Sequence, residues 1–91
     1  MKLYLIHTGF YDLDLMNGLY EQHTNYFVVA ANIQEAKKKA KKNIAFNKMK
    51  MHIDSIQEIN VVDGYLVKLE ADSRENDSVS YSYEDVKKIK E

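Results

Sequence analysis

The feature that most constrains the fold is an amphipathic helix with a capping signal, placed directly after a strand-forming run. Asn32 and Glu35 have the spacing of a capping box, in which side chains accept hydrogen bonds from the free amides of the first turn. Apolar residues then recur every three or four positions, at Ile33, Ala36, Ala40 and Ile44. This pattern predicts a helix from Ile33 to about Asn47, after a strand from Tyr20 to Ala31.

Three further strands are predicted by alternation and turn signals. Lys2 to Thr8 is apolar on both faces, which favours a central strand. Strands at His52–Val62 and Tyr65–Glu70 flank Asp63-Gly64, the pair that favours a type I′ hairpin turn. Gly9–Gly18 is predicted to be a long connection.

The third strand departs from simple alternation. Ile53, Ile56 and Ile59 lie three positions apart, whereas a strand places every second residue on one face. A β-bulge that shifts parity explains the spacing, and a short helical turn is the alternative.

Together these elements predict an α+β fold in the order β-β-α-β-β, with a mainly antiparallel sheet and one helix on one face. The core domain is expected over residues 1–70. Residues 71–91 are polar and predict a C-terminal extension, with an edge strand at Val79–Tyr83 and a last helix, capped by Ser82 and Asp85, through Glu91.

Composition excludes several classes of function. The 91-residue chain has no cysteine, which excludes disulfides, thiolate metal sites and thiol nucleophiles. Its formal net charge of -1 gives no overall field for nucleic acid or an anionic membrane. No apolar run approaches the length of about 18 residues that a membrane span needs. We therefore expect a cytoplasmic domain.

Two pairs of polar residues are candidates for a site. Glu21 with His23, and His52 with Asp54, are each two positions apart, so each pair shares one face of its strand. If the two strands lie near each other in the sheet, the four groups converge on one patch, and His7 at the end of the first strand is a candidate to join it. His23 and His52 would then supply the imidazole ligands of a metal ion such as zinc, manganese or iron.

Two other interpretations of these four residues stay open. The same groups suit general acid–base chemistry, because histidine titrates near neutral pH. They also suit a purely structural role, in which each histidine bonds a neighbouring carboxylate or carbonyl and fixes the strand register. No cofactor beyond a metal ion is indicated, and the sequence has neither a nucleophilic-serine motif nor a phosphate-binding loop.

Aromatic residues point to self-association as the partner hypothesis. The chain has 7 tyrosines and 3 phenylalanines, and aromatic residues are enriched in interface cores. One helix covers only one face of a sheet, so the other face is free to pack on a second copy, unless the Phe10–Tyr20 segment folds over it.

The lysines after Lys37 are more typical of a solvated helix face than of a nucleic-acid site, because Arg74 is the only arginine.

Several of these segments resemble a known family. They are Leu3–Gly9, Glu21–Val29, His52–Asp54 and Val62–Tyr65. From Met1 to about Leu69 the chain resembles the uncharacterised bacterial family catalogued as domain of unknown function fifteen-forty-three. The corresponding residues are Glu21, His23, His52, Asp54, Asp63, Gly64 and Tyr65.

The resemblance implies a fold unit without an assigned activity. Members of that family carry the domain in one or two copies, which is consistent with a single-copy chain that pairs with itself. The chain departs from the family at Gly9–Asn17, where the family has a more glycine-rich turn, and its tail from Ala71 lies outside the likeness. We therefore expect a non-catalytic binding or dimerisation module. The alternatives are a small-ligand or metal-binding protein, or a minor enzyme, that uses the four polar residues, and weak nucleic-acid binding through the lysine-rich helix.

Overall fold

The computed structural model describes residues 1–42 and 51–91. The regular elements follow in chain order: β1 (Lys2–Tyr11), a short 3-10 turn (Met16–Gly18), β2 (Glu21–Ala30), α1 (Ile33–Lys41), β3 (His52–Ile59), β4 (Val61–Val62), β5 (Tyr65–Leu66) and α2 (Tyr83–Lys87). The predicted end of the first helix, including Ile44, lies outside the described residues. The predicted α+β class is confirmed.

The main sheet has three antiparallel strands in the order β2-β1-β3. The expected central position of the first strand is therefore confirmed. Strand β1 also continues to Tyr11, because it stays paired with β2 as far as the Tyr11–Glu21 pair. The prediction that a connection begins at Gly9 was wrong, and Gly9 lies inside the central strand.

The hydrophobic core lies between the sheet and α1. Even-numbered side chains of β1 face this helix, and they pack with small residues that let the helix approach closely. In the part of the chain that the structure describes, the buried residues of this core are Tyr4, Ile6, Thr8, Ala30, Ala36 and Ala40. Half-buried Tyr26 and Val28 pack against this core from β2, and the Tyr26 hydroxyl donates to the carbonyl of Ala40 at 3.2 Å. Burial raises the pKa of Tyr26.

The first turn of α1 is capped much as the sequence predicts. The Asn32 side chain accepts from the Glu35 amide at 2.9 Å. The Glu35 carboxylate reaches back to the amide of Ala31 at 2.9 Å, one residue earlier than a standard capping box requires. Both contacts satisfy backbone amides at the point where the chain leaves β2, so they fix the angle between strand and helix.

Strand β3 contains the predicted bulge. The register with β1 shifts between His7, which pairs with Ser55, and Thr8, which pairs with Ile53, so that Asp54 is the extra residue. The shift puts Ile53 and Ile56 on the core side of the sheet, where both pack against the core. Ile59 pairs with Leu3 and belongs to the opposite face, so the bulge explains only the first two isoleucines.

The hairpin after β3 is shorter than predicted and stands apart from the main sheet. Asp63 and Gly64 have φ values of 53° and 82°, which confirms the turn that joins two antiparallel strands. The strands themselves span only Val61–Val62 and Tyr65–Leu66 and form a separate two-stranded sheet. They cannot pair with the central strand, because β2 and β3 already occupy both of its edges.

The C-terminal segment contains a helix but no edge strand. The predicted strand at Val79–Tyr83 was wrong, since residues 79–82 have no regular structure and Tyr83 begins α2. Ser82 and Asp85 form the expected capping box, with backbone-to-side-chain distances of 3.0 and 3.1 Å. The helix ends at Lys87, short of Glu91. Among the described residues, no helix is long and apolar enough to cross a membrane.

The cap of α1 gives a direct test of this local structure. We expect Asn32→Ala to lower the free energy of unfolding by about 1 kcal/mol, because the Glu35 amide loses its acceptor. Asn32→Asp keeps an oxygen in the same place and should leave stability close to that of the parent chain. Urea denaturation of the three proteins measures both differences, and equal losses for the two variants would contradict the capping role.

Candidate functional site

The face of the sheet opposite α1, here called the open face, carries the candidate site. Odd-numbered residues of β1 point to this face, because those on the other side are buried against the helix. Gly9 pairs with His23 of β2 on one side and with His52 of β3 on the other. Since Gly9 has no side chain, the two histidines lie on either side of a gap in the middle strand.

Five side chains meet over this gap, and we call them the His–carboxylate cluster: His7, Glu21, His23, His52 and Asp54. They come from all three strands of the sheet. All are partly solvent-accessible, with side-chain exposures from 29% for Asp54 to 51% for His52. The cluster is therefore a shallow surface feature that water can reach.

Asp54 is the central member of the cluster. Its Oδ1 atom lies 2.9 Å from Nε2 of His52, and its Oδ2 atom lies 3.3 Å from Nδ1 of His23. Asp54 lies two residues after His52 and so shares its face, and as the extra residue of the bulge it has no partner on β1. One carboxylate thus contacts imidazoles that belong to the two outer strands.

Glu21 contributes the second carboxylate. Its Oε1 atom lies 3.1 Å from Nε2 of His52, and its Oε2 atom lies 4.0 Å from Nε2 of His23. The same ring nitrogen of His52 therefore faces two carboxylate oxygens, one from Glu21 and one from Asp54. With neutral imidazoles the cluster carries two negative charges, which favours a cation at its centre.

His7 extends the cluster along β1. Its ring stacks on that of His23, with centroids 5.0 Å apart and planes 5° from parallel. Its Nδ1 atom lies 2.7 Å from Oδ1 of Asn25. An amide oxygen can only accept, so Nδ1–H donates. In the neutral imidazole the lone pair is then on Nε2, which lies 4.0 Å from Oδ2 of Asp54.

Gly9 leaves no room for a side chain under the cluster. A Cβ atom built at this position would lie 2.7 Å from Nε2 of His52 and 2.9 Å from Oδ2 of Asp54, and it would also clash with Oε1 of Glu21. These distances are shorter than van der Waals contact. Any other residue at position 9 must displace the cluster.

In two overlapping groups of three residues, the possible ligand atoms lie as close together as they do around a bound metal ion. One group is Glu21, His52 and Asp54, and the other is His7, His23 and Asp54, each with its atoms within 4.8 Å of one another. Ligands that bind one zinc ion at about 2.0–2.2 Å are about 3.3–3.6 Å apart in a tetrahedron and about 3 Å apart in an octahedron. The separations of 2.9, 3.1 and 3.3 Å found here fall in that range.

The structure brings together all four residues singled out from the sequence, Glu21, His23, His52 and Asp54, on one face. The two strands that carry these residues are not adjacent, because β1 lies between β2 and β3. The contact across β1 depends on Gly9, which sequence reasoning placed in a loop. Asn25 was missed as well. Strand parity would have found it, since it lies two residues after His23 and opposite His7.

A separate hollow lies toward the other end of the sheet. It has a volume of about 460 Å³, and its lining includes Met1, Val29, Leu69 and Arg74. Val29 pairs with Leu3, six residues along β1 from Gly9, which corresponds to about 20 Å at about 3.3 Å per residue. The hollow is therefore not part of the cluster.

Comparison with known proteins identifies a family and no function. Residues 18–69, more than half of the chain, match the family described as Domain of Unknown Function (DUF1543). The match confirms the resemblance stated above. It includes Glu21, His23, His52 and Asp54, and it begins after β1. No curated protein and no solved structure matches the chain.

A substitution at Gly9 should change the geometry of the His–carboxylate cluster without lowering the stability of the fold. We expect Gly9→Ala to leave stability unchanged or to raise it by up to about 1 kcal/mol, because alanine suits a strand interior better than glycine. The new methyl group should nevertheless displace Glu21, His52 and Asp54. Thermal unfolding measures the first effect, and the imidazole ¹⁵N shifts of His23 and His52 measure the second. Unchanged ¹⁵N shifts would contradict the close approach described here.

Proposed function

Since the chain belongs to the family Domain of Unknown Function (DUF1543), whose description gives no activity, we propose from geometry that it is a metal-binding domain. The ion is a divalent transition metal held by Glu21, His52 and Asp54. One observation carries this proposal. Nε2 of His52 lies within 2.9 and 3.1 Å of two carboxylate oxygens that come from different strands.

A proton satisfies this arrangement poorly. A ring nitrogen carries at most one hydrogen, so His52 Nε2–H must share it between Glu21 and Asp54, and the two carboxylates still repel each other. A divalent ion in the same place binds one nitrogen and two oxygens at once and neutralises both carboxylates. A donor set of imidazole and carboxylate suits zinc, manganese or iron.

The site is better suited to binding than to catalysis. Its side chains keep about a third to a half of their surface exposed, whereas enzymes that use electrostatic stabilisation exclude water from the reacting groups. Water completes the coordination of the ion on the exposed side. We therefore propose a non-catalytic metal-binding module, and the absence of cysteine fits the reducing cytoplasm.

A second candidate function is self-association through the apolar end of the open face. The Phe27 side chain is 63% exposed there, next to the half-buried Leu5 with which it pairs. Strands of ten, ten and eight residues give the whole open face an area of about 440 Å² per copy, at spacings of about 4.8 and 3.3 Å. Two copies packed over the whole face would bury about 900 Å² in total, which is just below the roughly 1,000 Å² of a specific interface, so the proposed homodimer is weak.

Metal binding is tested by isothermal titration of the chelator-treated full chain with Zn²⁺. We expect micromolar or tighter binding, and a loss of at least tenfold in affinity for His52→Ala and for Glu21→Gln, because each removes one ligand. Glu75→Gln changes a carboxylate outside the cluster and serves as the control. Unchanged stoichiometry together with wild-type affinity in His52→Ala would contradict the proposed site.

Acidification gives an independent check of the same site. An imidazole binds a metal only in its neutral form, so Zn²⁺ affinity should fall as the solution is made acidic. At a hundredfold excess over the dissociation constant, the ion should stabilise the fold by about 2.7 kcal/mol near neutral pH. Thermal unfolding with and without Zn²⁺ measures this gain, and a gain that persists in acid would contradict histidine ligation.

Self-association is tested by sedimentation velocity over a range of protein concentrations. We expect the average mass to rise toward that of a dimer, and Phe27→Ser to suppress the rise, because the variant removes the most exposed aromatic ring of the patch. Ile89→Ser replaces an apolar residue of similar exposure (58%) in the C-terminal tail and should leave the mass unchanged. A monomer at every concentration would contradict the dimer.

A further inference from the structure

We propose that the His–carboxylate cluster holds two divalent metal ions, which are bridged by the Asp54 carboxylate. The first ion is the one assigned above to Glu21, His52 and Asp54. The second is bound by His7, His23 and the other oxygen of Asp54. This inference rests on the proposed function for its first ion and adds a second site with its own ligands.

The two oxygens of Asp54 face different partners. Oδ1 lies 2.9 Å from His52, whereas Oδ2 lies 3.3 Å from His23 and 4.0 Å from His7. Each oxygen of Asp54 therefore faces different histidines, which is the geometry of a carboxylate that bridges two ions. Ions in two-metal sites are about 3.5–4 Å apart, so one aspartate can span them.

His7 gives a reason for the second ion that is independent of the first. Because its Nδ1–H donates to Asn25, its Nε2 lone pair points toward an oxygen of Asp54. In the neutral imidazole both facing atoms are electron-rich, and a cation between them, either a proton or a metal ion, removes their repulsion. Two ligands at about 2.0–2.2 Å from one ion are at most about 4.4 Å apart, and the observed 4.0 Å fits that limit.

His23 completes the second ligand set from the neighbouring strand. Its Nδ1 atom lies 3.3 Å from the same oxygen of Asp54. Because an imidazole lone pair lies in the plane of its ring, the His23 ring turns out of its stack on His7 when both residues bind one ion. The hydrogen bond from His7 to Asn25 is the kind of outer contact that fixes the ring orientation of a metal ligand. Asn25 is therefore a positioning residue for the second ion.

The stoichiometry of binding tests this proposal. The full chain is stripped with a chelator, loaded with Zn²⁺ and weighed by native mass spectrometry. We expect two ions in the parent chain and one ion in His7→Ala, with the affinity for the remaining ion unchanged. Asn25→Ala should weaken the second ion at least tenfold while sparing the first. Gln57→Ala, on β3 outside the cluster, is the matched control and should bind two ions.

The bridge itself is tested by electron paramagnetic resonance of the Cu²⁺-loaded chain. Two ions bridged by one carboxylate should give a half-field line, which His7→Ala should abolish. Circular dichroism of His7→Ala and of the milder His7→Gln checks that each variant keeps the fold.

Each outcome of these experiments has a definite meaning. One ion in the parent chain, or a His7→Ala variant that still binds two, overturns the second site and leaves the first standing. No bound ion at all overturns both proposals. Two ions without a half-field line overturn the bridge.

Discussion

The whole cluster depends on the fixed spacing between paired strands. Neighbouring strands lie about 4.8 Å apart, so His23 and His52 start about 10 Å from each other with a third strand between them. Their side chains reach common partners only because Gly9 leaves the intervening surface bare. Any side chain on β1 at this level would separate the two halves of the cluster. Gly9 therefore determines whether the side chains of the His–carboxylate cluster can contact one another.

The bulge in β3 solves a second geometric problem. Along a regular strand, Ile53 and Ile56 would fall on opposite faces, and one of them would leave the core. The extra residue Asp54 restores both isoleucines to the helix side while its own carboxylate turns outward to His52. One irregularity thus serves packing and the polar cluster at the same time, which is typical of bulges near functional positions.

Local signals predicted the parts of this structure that depend on neighbouring residues. The cap at Asn32, the Asp63-Gly64 turn and the bulge could each be recognised from a few adjacent positions. Strand order could not, because pairing of β1 with β3 is decided by contacts more than forty residues apart. Gly9 was misassigned for a related reason. A glycine after a short apolar run is typical of a turn, and only the partner strands show that β1 continues to Tyr11.

Gly9 also suggests a way to find comparable arrangements in other sheets. A glycine in a middle strand can lie in register with a histidine on each flanking strand. Side chains from the two flanking strands can then meet above the glycine, across the middle strand. Such a signature combines one backbone position with two side chains that are far apart along the chain. A search based on linear motifs overlooks it, whereas a search of paired registers would detect it even between unrelated folds.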